Sequence, residues 1–306
     1  MLAITASITV SSTFARGFQD ELIEAAEMPR RPLGKTGEQV SIFGLGGEAV
    51  IEQASSEKKA RDIINSALDA GVNYIDTSPG YGNGASESNV GAVMAERRRE
   101  VLLASKTHER SYDGTMRLFE RSLERLNTDY LDLYQIHTVR TEEDLQQIFS
   151  DDGAIHALEE LKDEGSVKNL GITGHYDPEV LLQGIREYDF DCLLLSLNAG
   201  DIHFSPFQKE LLEEAVEQDL GRIAMKVMAR GRILGENGLD SAGEALNYVW
   251  SLPVSTAIVG VDSLQQLQDN LENAQNFTPL SLEEMEKLED KTAGIQDEAN
   301  FFKYSW

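Results

Sequence analysis

The loop sequence NYIDTSPGYGNGASES, residues 73–88, carries a carboxylate and a phenol that suit acid–base chemistry. Asp76 ends a short apolar run, and Tyr81 follows it in a glycine-rich loop. A phenol has an ordinary pKa of about 10, which is too high for efficient proton exchange near neutral pH. A neighbouring ammonium would favour the phenolate and lower that pKa, and a carboxylate paired with the ammonium would hold it in place.

The next two apolar runs end in the side chains that such a site needs. Lys106 follows the run VLLAS, and His137 follows LDLYQI. Alone, each of the four residues has an ordinary structural explanation, as a turn former, a packed tyrosine, a solvated lysine or a core histidine. Together they favour a cluster in which an imidazole orients a carbonyl oxygen and a phenol protonates it. No side chain supplies hydride, so this chemistry requires a nicotinamide or a flavin.

The elements that would position these residues form a repeating pattern from residue 40 onward. Short apolar runs alternate with longer amphipathic segments, which is typical of βαβ units and a parallel sheet. The runs predicted as strands are 42–45, 72–75, 101–104, 131–136, 167–172, 192–197, 222–225 and 254–259. The segments predicted as helices are 57–70, 87–99, 111–126, 152–164, 177–187, 206–219, 239–251 and 263–275. Eight strands close a parallel barrel, whose functional side chains lie at the C-terminal ends of the strands.

Two smaller features complete the predicted α/β fold, a (β/α)8 TIM barrel. Residues 30–42 contain a Gly-Lys-Thr-Gly turn between two extended pieces, which predicts a β-hairpin that plugs the N-terminal end of the barrel. Residues 281–290, SLEEMEKLED, predict one extra C-terminal helix. Since no linker divides them, residues 31–306 are predicted to form a single barrel domain, with residues 1–30 as an N-terminal extension.

The start of the chain admits two interpretations. Residues 1–15, MLAITASITVSSTFA, are mildly apolar and rich in small side chains, like the end of an export signal. They lack a basic segment in front, because the first basic residue is Arg16. We therefore expect a disordered extension and a cytoplasmic protein, with export as the alternative.

The charge balance restricts the partners. A formal net charge of −26 disfavours binding to nucleic acid or to an anionic membrane, and no apolar stretch reaches the ~20 residues of a membrane span. The excess of acidic residues predicts a solvated surface. Adaptation to high salt is the alternative, and the low number of lysines, 11 against 16 arginines, is consistent with it.

The single cysteine, Cys192, lies in an apolar run and is predicted to be a buried structural thiol. No metal site is expected, because the loop histidines His175 and His203 have no clear carboxylate partner.

The motifs around these residues resemble those of the aldo-keto reductase family, as a divergent bacterial-type member, over roughly residues 31–292. The segment DTSPGYGNGASESNVG follows the family pattern D-T-A-x-x-Y-G-x-G-x-S-E-x-x-x-G, and RPLGKTGEQVS, ASKT, LDLYQIH and GVDSLQQLQDNL match too. The resemblance implies NAD(P)H-dependent reduction of an aldehyde or ketone to an alcohol, or the reverse oxidation. It also implies that the catalytic tetrad of the family corresponds to Asp76, Tyr81, Lys106 and His137, with Tyr81 as the proton donor.

The loops after the last two predicted strands are expected to bind phosphate, as they often do in such barrels. Lys226, Arg230 and Arg232 are the candidates for a pyrophosphate there. Strand positions that the family uses for its cofactor extend this set. The cofactor residues so predicted are Gly47, Thr173, Gly174, Asn198, Lys226, Gly260, Ser263, Gln266 and Asn270.

The sequence departs from the family at several of these positions. Gln266 stands where a basic residue usually meets the 2′-phosphate, and Gly260 where one branch has lysine. Since a phosphate dianion prefers cationic partners, NAD(H) competes with NADP(H), which the resemblance favours. Thr173-Gly174 replaces a Ser-Asn pair beside the carboxamide, and Met225 replaces an aromatic that stacks on the nicotinamide.

Other interpretations stay open. GLGGEA, residues 44–49, hints at a Rossmann turn but lacks the full G-x-G-x-x-G. A reductase-like barrel can also bind a nicotinamide cofactor as a non-catalytic, regulatory subunit, and an aldolase would form a Schiff base at Lys106 or Lys226. The expected partner is a small carbonyl or alcohol, and the sequence does not specify the oligomeric state. The segments expected to select the substrate are 108–112, 175–178, 198–204 and 301–306.

Overall fold

The computed structural model of the chain describes residues 27–304. In that range, an antiparallel hairpin of two strands, β1 and β2, precedes a closed barrel of eight strands, β3 to β10. The strands are β1 Arg30–Pro32, β2 Gln39–Ser41, β3 Phe43–Gly46, β4 Tyr74–Asp76, β5 Leu102–Thr107, β6 Leu131–Ile136, β7 Val167–Gly174, β8 Cys192–Ser196, β9 Gly221–Met225 and β10 Thr256–Val259. Each run predicted as a strand overlaps one barrel strand, so the predicted (β/α)8 barrel with an N-terminal hairpin is confirmed.

The barrel closes through parallel pairing between its last and first strands. Ala257 of β10 lies opposite Phe43 of β3, and Val259 lies opposite Leu45. Every other strand of the barrel pairs with the next one along the chain, from β3 through to β10. All eight C-terminal strand ends therefore meet at one rim, which is the geometry that the predicted cluster of functional groups requires.

Helices surround the barrel. They are α1 Glu57–Asp69, α2 Ala85–Arg97, α3 Tyr112–Leu126, α4 Glu142–Ile148, α5 Ala154–Asp163, α6 Pro178–Glu187, α7 Glu210–Glu217, α8 Ala242–Ser251, α9 Leu264–Gln275, α10 Leu282–Thr292 and α11 Gln296–Ala299. The eight helices predicted from the pattern and the extra C-terminal helix, α10, are all present. The pattern did not predict the four-residue helix α11, nor α4, a seven-residue helix that begins with a capping box between Thr141 and Asp144.

The hairpin fills the N-terminal end of the barrel, as predicted. Leu33, in the turn between β1 and β2, is fully buried and belongs to the apolar cluster inside the barrel. Gly34 follows with φ +51°, and a Cβ there would lie 2.3 Å from the backbone nitrogen of Gly221. Cys192 is buried in the same cluster, and burial raises the pKa of its thiol, so it is the structural cysteine that the sequence predicts.

A second, larger apolar cluster lies between the barrel and its helices. Between residues 27 and 304, no helix is both long and apolar enough to cross a membrane. The candidate export signal, residues 1–15, and the last two residues of the C-terminal segment lie outside the described residues. The division into an N-terminal extension and a single barrel domain stays a prediction.

Candidate active site

Three adjacent strands bring the predicted acid, lysine and histidine to the same rim. Asp76 is the last residue of β4, Lys106 lies near the end of β5, and His137 directly follows β6. The buried Lys106 ammonium donates hydrogen bonds to Oδ1 of the buried Asp76 and, at 2.8 Å, to the carbonyl of Thr77. The lysine is thus held at the rim by an ion pair shielded from water.

The glycine-rich loop carries Tyr81 back over this ion pair. Gly82 has φ +54°, and a Cβ there would lie 1.8 Å from the carbonyl oxygen of Glu52, so no other residue fits. The turn places the Tyr81 ring 5.0 Å, centroid to Nζ, from Lys106. The ring meets His137 edge to face, with centroids 5.9 Å apart. The four residues singled out by the sequence therefore lie together.

The structure adds residues that hold the four in place and that the sequence did not identify. Gln135 on β6 donates from Nε2 to Oδ2 of Asp76 at 3.1 Å. Ser78 lies 3.3 Å from Nδ1 of His137. Ser78 also stands where the family pattern has alanine, and this difference was the one sequence signal that could have identified it as a site residue. Gln135 gave no signal, because strand alternation alone does not say which partner a buried amide meets.

The backbone that carries His137 is fixed by Arg110. The Arg110 guanidinium donates to the carbonyls of His137 and Thr138, each at 3.0 Å, and pairs with Asp144 at 3.0 Å. Thr138 has φ +54°, so the chain turns sharply as it leaves β6. The guanidinium satisfies carbonyls that this turn leaves outside the sheet ladder.

Burial sets the protonation states of the two groups that would meet a carbonyl. It raises the pKa of Tyr81 well above its ordinary value, and the charge of Asp76 acts in the same direction. Burial and the Lys106 ammonium lower the pKa of His137 well below its usual range. The lowering of the Tyr81 pKa that we expected from Lys106 is therefore not found, because desolvation dominates and the lysine is already paired with Asp76.

A cavity of about 510 Å³ begins at Asp76 and Tyr81 and extends past the ends of β9 and β10 to α9. Five predicted cofactor residues line it, namely Gly47, Lys226, Gly260, Gln266 and Asn270. The cavity is of the size that binds small ligands. Its position joins the reactive groups to the loops that the sequence assigns to phosphate binding.

The other predicted cofactor residues lie outside the cavity lining. Ser263 caps the N-terminus of α9 by accepting from the Gln266 backbone N–H. The Asn198 side chain donates to the carbonyl of Ala299 at 3.1 Å and accepts from Gly200, so it fastens the C-terminal segment. Gly174 lies close to the Val139 carbonyl. Thr173 is buried, and its Oγ1 has no hydrogen-bond partner within residues 27–304.

The basic residues after β9 meet an acid that the sequence did not single out. Glu48, in the loop after β3, lies 2.5 Å from Arg230 and 3.6 Å from Lys226, and all three line the cavity. Burial alone would raise the pKa of Glu48, but the two cations more than offset that effect and lower it. Arg232, the third candidate for the pyrophosphate, stacks on Phe301, with Cζ 3.8 Å from the ring centroid.

The C-terminal segment occupies one side of the rim. Lys303 is buried and pairs with Asp201 at 2.5 Å, in the loop after β8. The loop histidines also hold this end of the chain: His175 lies 3.2 Å from the carbonyl of Phe302, and His203 lies 2.8 Å from that of Glu289. In residues 27–304, no three His, Cys, Asp or Glu side chains are grouped as metal ligands would be.

Known proteins resemble this chain over most of its length. A sequence profile described as "Aldo/keto reductase family" matches residues 42–243. YqkF, an uncharacterized oxidoreductase of Bacillus subtilis, is 27% identical over 87% of this chain and 97% of its own length. YhdN, an aldo-keto reductase of the same organism, is 32% identical over 67% of this chain and 63% of its own length.

Solved structures show the same barrel. The holo form of the aldo-keto reductase AKR11C1 from Bacillus halodurans superposes with a TM-score of 0.74 at 26% identity, covering 87% of this chain and 96% of that one. An aldo-keto reductase from Klebsiella pneumoniae in complex with NADPH superposes with a TM-score of 0.72 at 22% identity, covering 88% and 95% of the two chains. The second likeness concerns the fold alone.

Proposed function

Because this chain belongs to the aldo/keto reductase family, and is therefore an NAD(P)-dependent oxidoreductase, we propose that it reduces an aldehyde or ketone to the alcohol and catalyses the reverse oxidation. The observation that carries the proposal is the grouping of Asp76, Tyr81, Lys106 and His137 beside a cavity long enough to reach α9.

The roles of the side chains follow from their protonation states. A nicotinamide held in the cavity would supply the hydride that carbonyl reduction needs. Tyr81, which keeps its proton because its pKa is raised, donates that proton to the carbonyl oxygen. His137, neutral because its pKa is lowered, has an N–H with which to orient the oxygen. Lys106, held by Asp76, stabilises the phenolate that remains on Tyr81.

The residues of the cavity fit a nicotinamide dinucleotide. Lys226 and Arg230 supply positive charge for the pyrophosphate. Binding it would weaken the ion pairs that both residues make with Glu48. Outside the cavity lining, the buried Oγ1 of Thr173 has no partner in the described part of the chain and is the hydroxyl that the family resemblance assigns to the carboxamide. Gly47 allows a close approach to the end of β4, since a Cβ there would lie 2.8 Å from the Asp76 carbonyl.

The pH dependence of the reaction follows from the two shifted pKa values. A raised Tyr81 pKa keeps the phenol protonated as pH rises, and a lowered His137 pKa keeps the imidazole neutral as pH falls. We therefore expect kcat for reduction to stay level between about pH 6 and pH 9. Alcohol oxidation needs the phenolate, so its rate should increase throughout the same range. Steady-state rates in both directions test this expectation. A change in kcat for reduction with a midpoint near pH 7 would contradict it.

We further propose that NADH binds more tightly than NADPH. The far end of the cavity is lined by Asp262, Gln266, Asp269 and Asn270. Within residues 27–304, the basic residues of the lining are Lys226 and Arg230, and both follow β9 instead of lying at this end. Carboxylates suit a free ribose hydroxyl and repel a 2′-phosphate, so we expect a Kd ratio of at least about ten-fold.

Fluorescence titration with each cofactor measures this ratio directly. Gln266→Arg should recover NADPH binding by about ten-fold while leaving NADH nearly unchanged, because it adds a cation only where the 2′-phosphate would lie. Gln265→Arg is the matched control, since Gln265 lies on the same turn of α9 but does not line the cavity. Tighter binding of NADPH than NADH by the unmodified protein would refute the preference.

One assay decides whether the proposed reaction occurs at all. Purified protein is mixed with NADH or NADPH and a panel of aldehydes and ketones, and the absorbance of the reduced cofactor is followed. Loss of absorbance that depends on the carbonyl compound supports the proposal. Cofactor binding without turnover would instead identify a regulatory barrel, and trapping of a lysine adduct with borohydride would identify an aldolase.

A further inference from the structure

The carboxylate of Asp76 divides its two oxygens between two partners. Oδ1 accepts from the ammonium of Lys106, and Oδ2 accepts from the side-chain amide of Gln135 at 3.1 Å. All three side chains are almost wholly buried, with exposures of 1%, 0% and 0% for Asp76, Lys106 and Gln135. A buried carboxylate without donors is strongly disfavoured, so each hydrogen bond restricts how this group can turn.

The orientation of the Gln135 amide is determined by this contact. In the flipped orientation, Oε1 would face a carboxylate oxygen and the hydrogen bond would become a repulsion. The orientation adopted leaves Oε1 buried with no hydrogen-bond partner in the described part of the chain. The barrel therefore tolerates one unsatisfied acceptor in order to supply Asp76 with a donor.

The neighbouring strand leaves room for this amide. Gly171 of β7 lies opposite Gln135 in the sheet register. A Cβ at Gly171 would lie 2.9 Å from Cγ of Gln135, which is closer than carbon atoms normally approach. The space inside the barrel at this level is thus shaped for the glutamine side chain.

We infer that Gln135 is a positioning residue for the proposed carbonyl reduction: by holding Oδ2 of Asp76 it directs Oδ1 to Lys106 and so fixes the ammonium beneath Tyr81. Gln135 lies on β6, away from the cavity lining, and acts only through the carboxylate. Without it, the carboxylate can rotate, and the lysine loses its fixed place 5.0 Å from the tyrosine ring. The inference rests on the proposed function, since it concerns the same four residues.

The first test removes the donor. In Gln135→Leu, a side chain of similar volume leaves Oδ2 of Asp76 without its hydrogen bond. We expect kcat for reduction to fall by about ten-fold or more, since hydrogen bonds to charged groups are among the stronger ones. The Kd of the reduced cofactor should change by less than about two-fold, because Gln135 does not line the cavity.

The second test replaces the amide by a group whose donor can be removed by titration. In Gln135→Glu, a protonated carboxyl donates the same hydrogen bond, whereas an ionised one repels Asp76. Burial beside a second carboxylate raises the pKa of such a group into the working range. We expect kcat within about three-fold of wild type at pH 6 and a decline of about ten-fold by pH 9, while the wild-type profile stays level. The melting temperature of this variant should fall over the same pH range.

The matched control is Asn169→Leu. Asn169 lies two residues before Gly171 on β7, is buried, and donates to the carbonyl of Asp132 at 2.9 Å. The substitution removes a buried amide from the same side of the strand without touching the four site residues. This variant should lose stability and keep the wild-type kcat and its level pH profile.

The outcomes separate the two proposals. Wild-type kcat in Gln135→Leu, together with a level pH profile in Gln135→Glu, would overturn the positioning role. The same loss of kcat in Asn169→Leu would also overturn it, since any lost buried amide would then suffice. If wild type reduces no carbonyl compound while the melting temperature of Gln135→Glu still falls with pH, the contact exists and the proposed function has failed.

Discussion

Replacing Tyr81 by phenylalanine is expected to lower kcat for carbonyl reduction by about 10²–10⁴-fold, because the variant keeps the ring and removes the proton that the product oxygen needs. The phenyl ring that remains fills the same space against His137 and Lys106, so the cofactor Kd should stay within about two-fold of wild type. Stopped-flow or steady-state oxidation of the reduced cofactor measures the first quantity, and fluorescence titration measures the second.

Tyr130→Phe is the control for this experiment. Tyr130 directly precedes β6, at the end of the barrel opposite the rim, and its ring lies 3.8 Å from Cζ of Arg98. Removing its hydroxyl should leave kcat unchanged. Wild-type turnover in Tyr81→Phe would show that another group, such as His137, protonates the carbonyl oxygen.

Replacing Lys106 by methionine should affect both stability and activity. The substitution leaves the Asp76 carboxylate buried without its cation, a change that lowers the free energy of unfolding by about 3–5 kcal/mol in other buried ion pairs. Carbonyl reduction should fall by at least about 10²-fold, because no charge then stabilises the phenolate of Tyr81. Urea unfolding and steady-state kinetics at one pH measure the two effects.

The double variant Asp76→Asn with Lys106→Met separates these effects. It removes both charges, and the new amide can still pair with Gln135. Most of the lost stability should return, since removing both partners of a buried ion pair is often nearly neutral. Activity should stay low. If the single variant unfolds at the wild-type urea concentration, the ion pair does not carry the energetic role assigned to it.

The fold was predictable because its signals are local. Apolar runs of strand length alternate with amphipathic segments, and that periodicity identifies eight strands without any knowledge of contacts. The four site residues were predictable for the same reason: each lies at a strand end or in the loop after it, and strand ends share one rim. The short helix α4 was missed, since seven residues give too little periodicity to recognise.

The partners of those residues were not predictable, because they depend on register and side-chain orientation. Gln135 meets Asp76 across the barrel interior, from a strand that is not adjacent to β4. Glu48 meets Arg230 from loops more than half the chain apart. Asn198, which the sequence assigns to the cofactor, also holds the C-terminal segment, and this contact depends on a tertiary arrangement that the sequence pattern does not report.

Protonation states were harder still to predict. The sequence places an ammonium beside a phenol and so favours a lowered Tyr81 pKa. The structure reverses that direction, because burial acts on the phenol and Asp76 already neutralises Lys106. Sequence spacing reports which charges are near, but it does not report how much water surrounds them.

The closing contact between β10 and β3 determines when the site comes into existence as the chain is synthesised. Strands β4 to β6, which bring Asp76, Lys106 and His137, emerge from the ribosome well before the loops that complete the cavity. Pairing of the last strand with the first closes a very long loop, a slow step in folding. A nascent chain therefore holds its acid–base groups before it has a cavity in which to use them. A ligand that contacts the loops after both β3 and β9 would bind only the closed ring, and by mass action it would favour completion of folding.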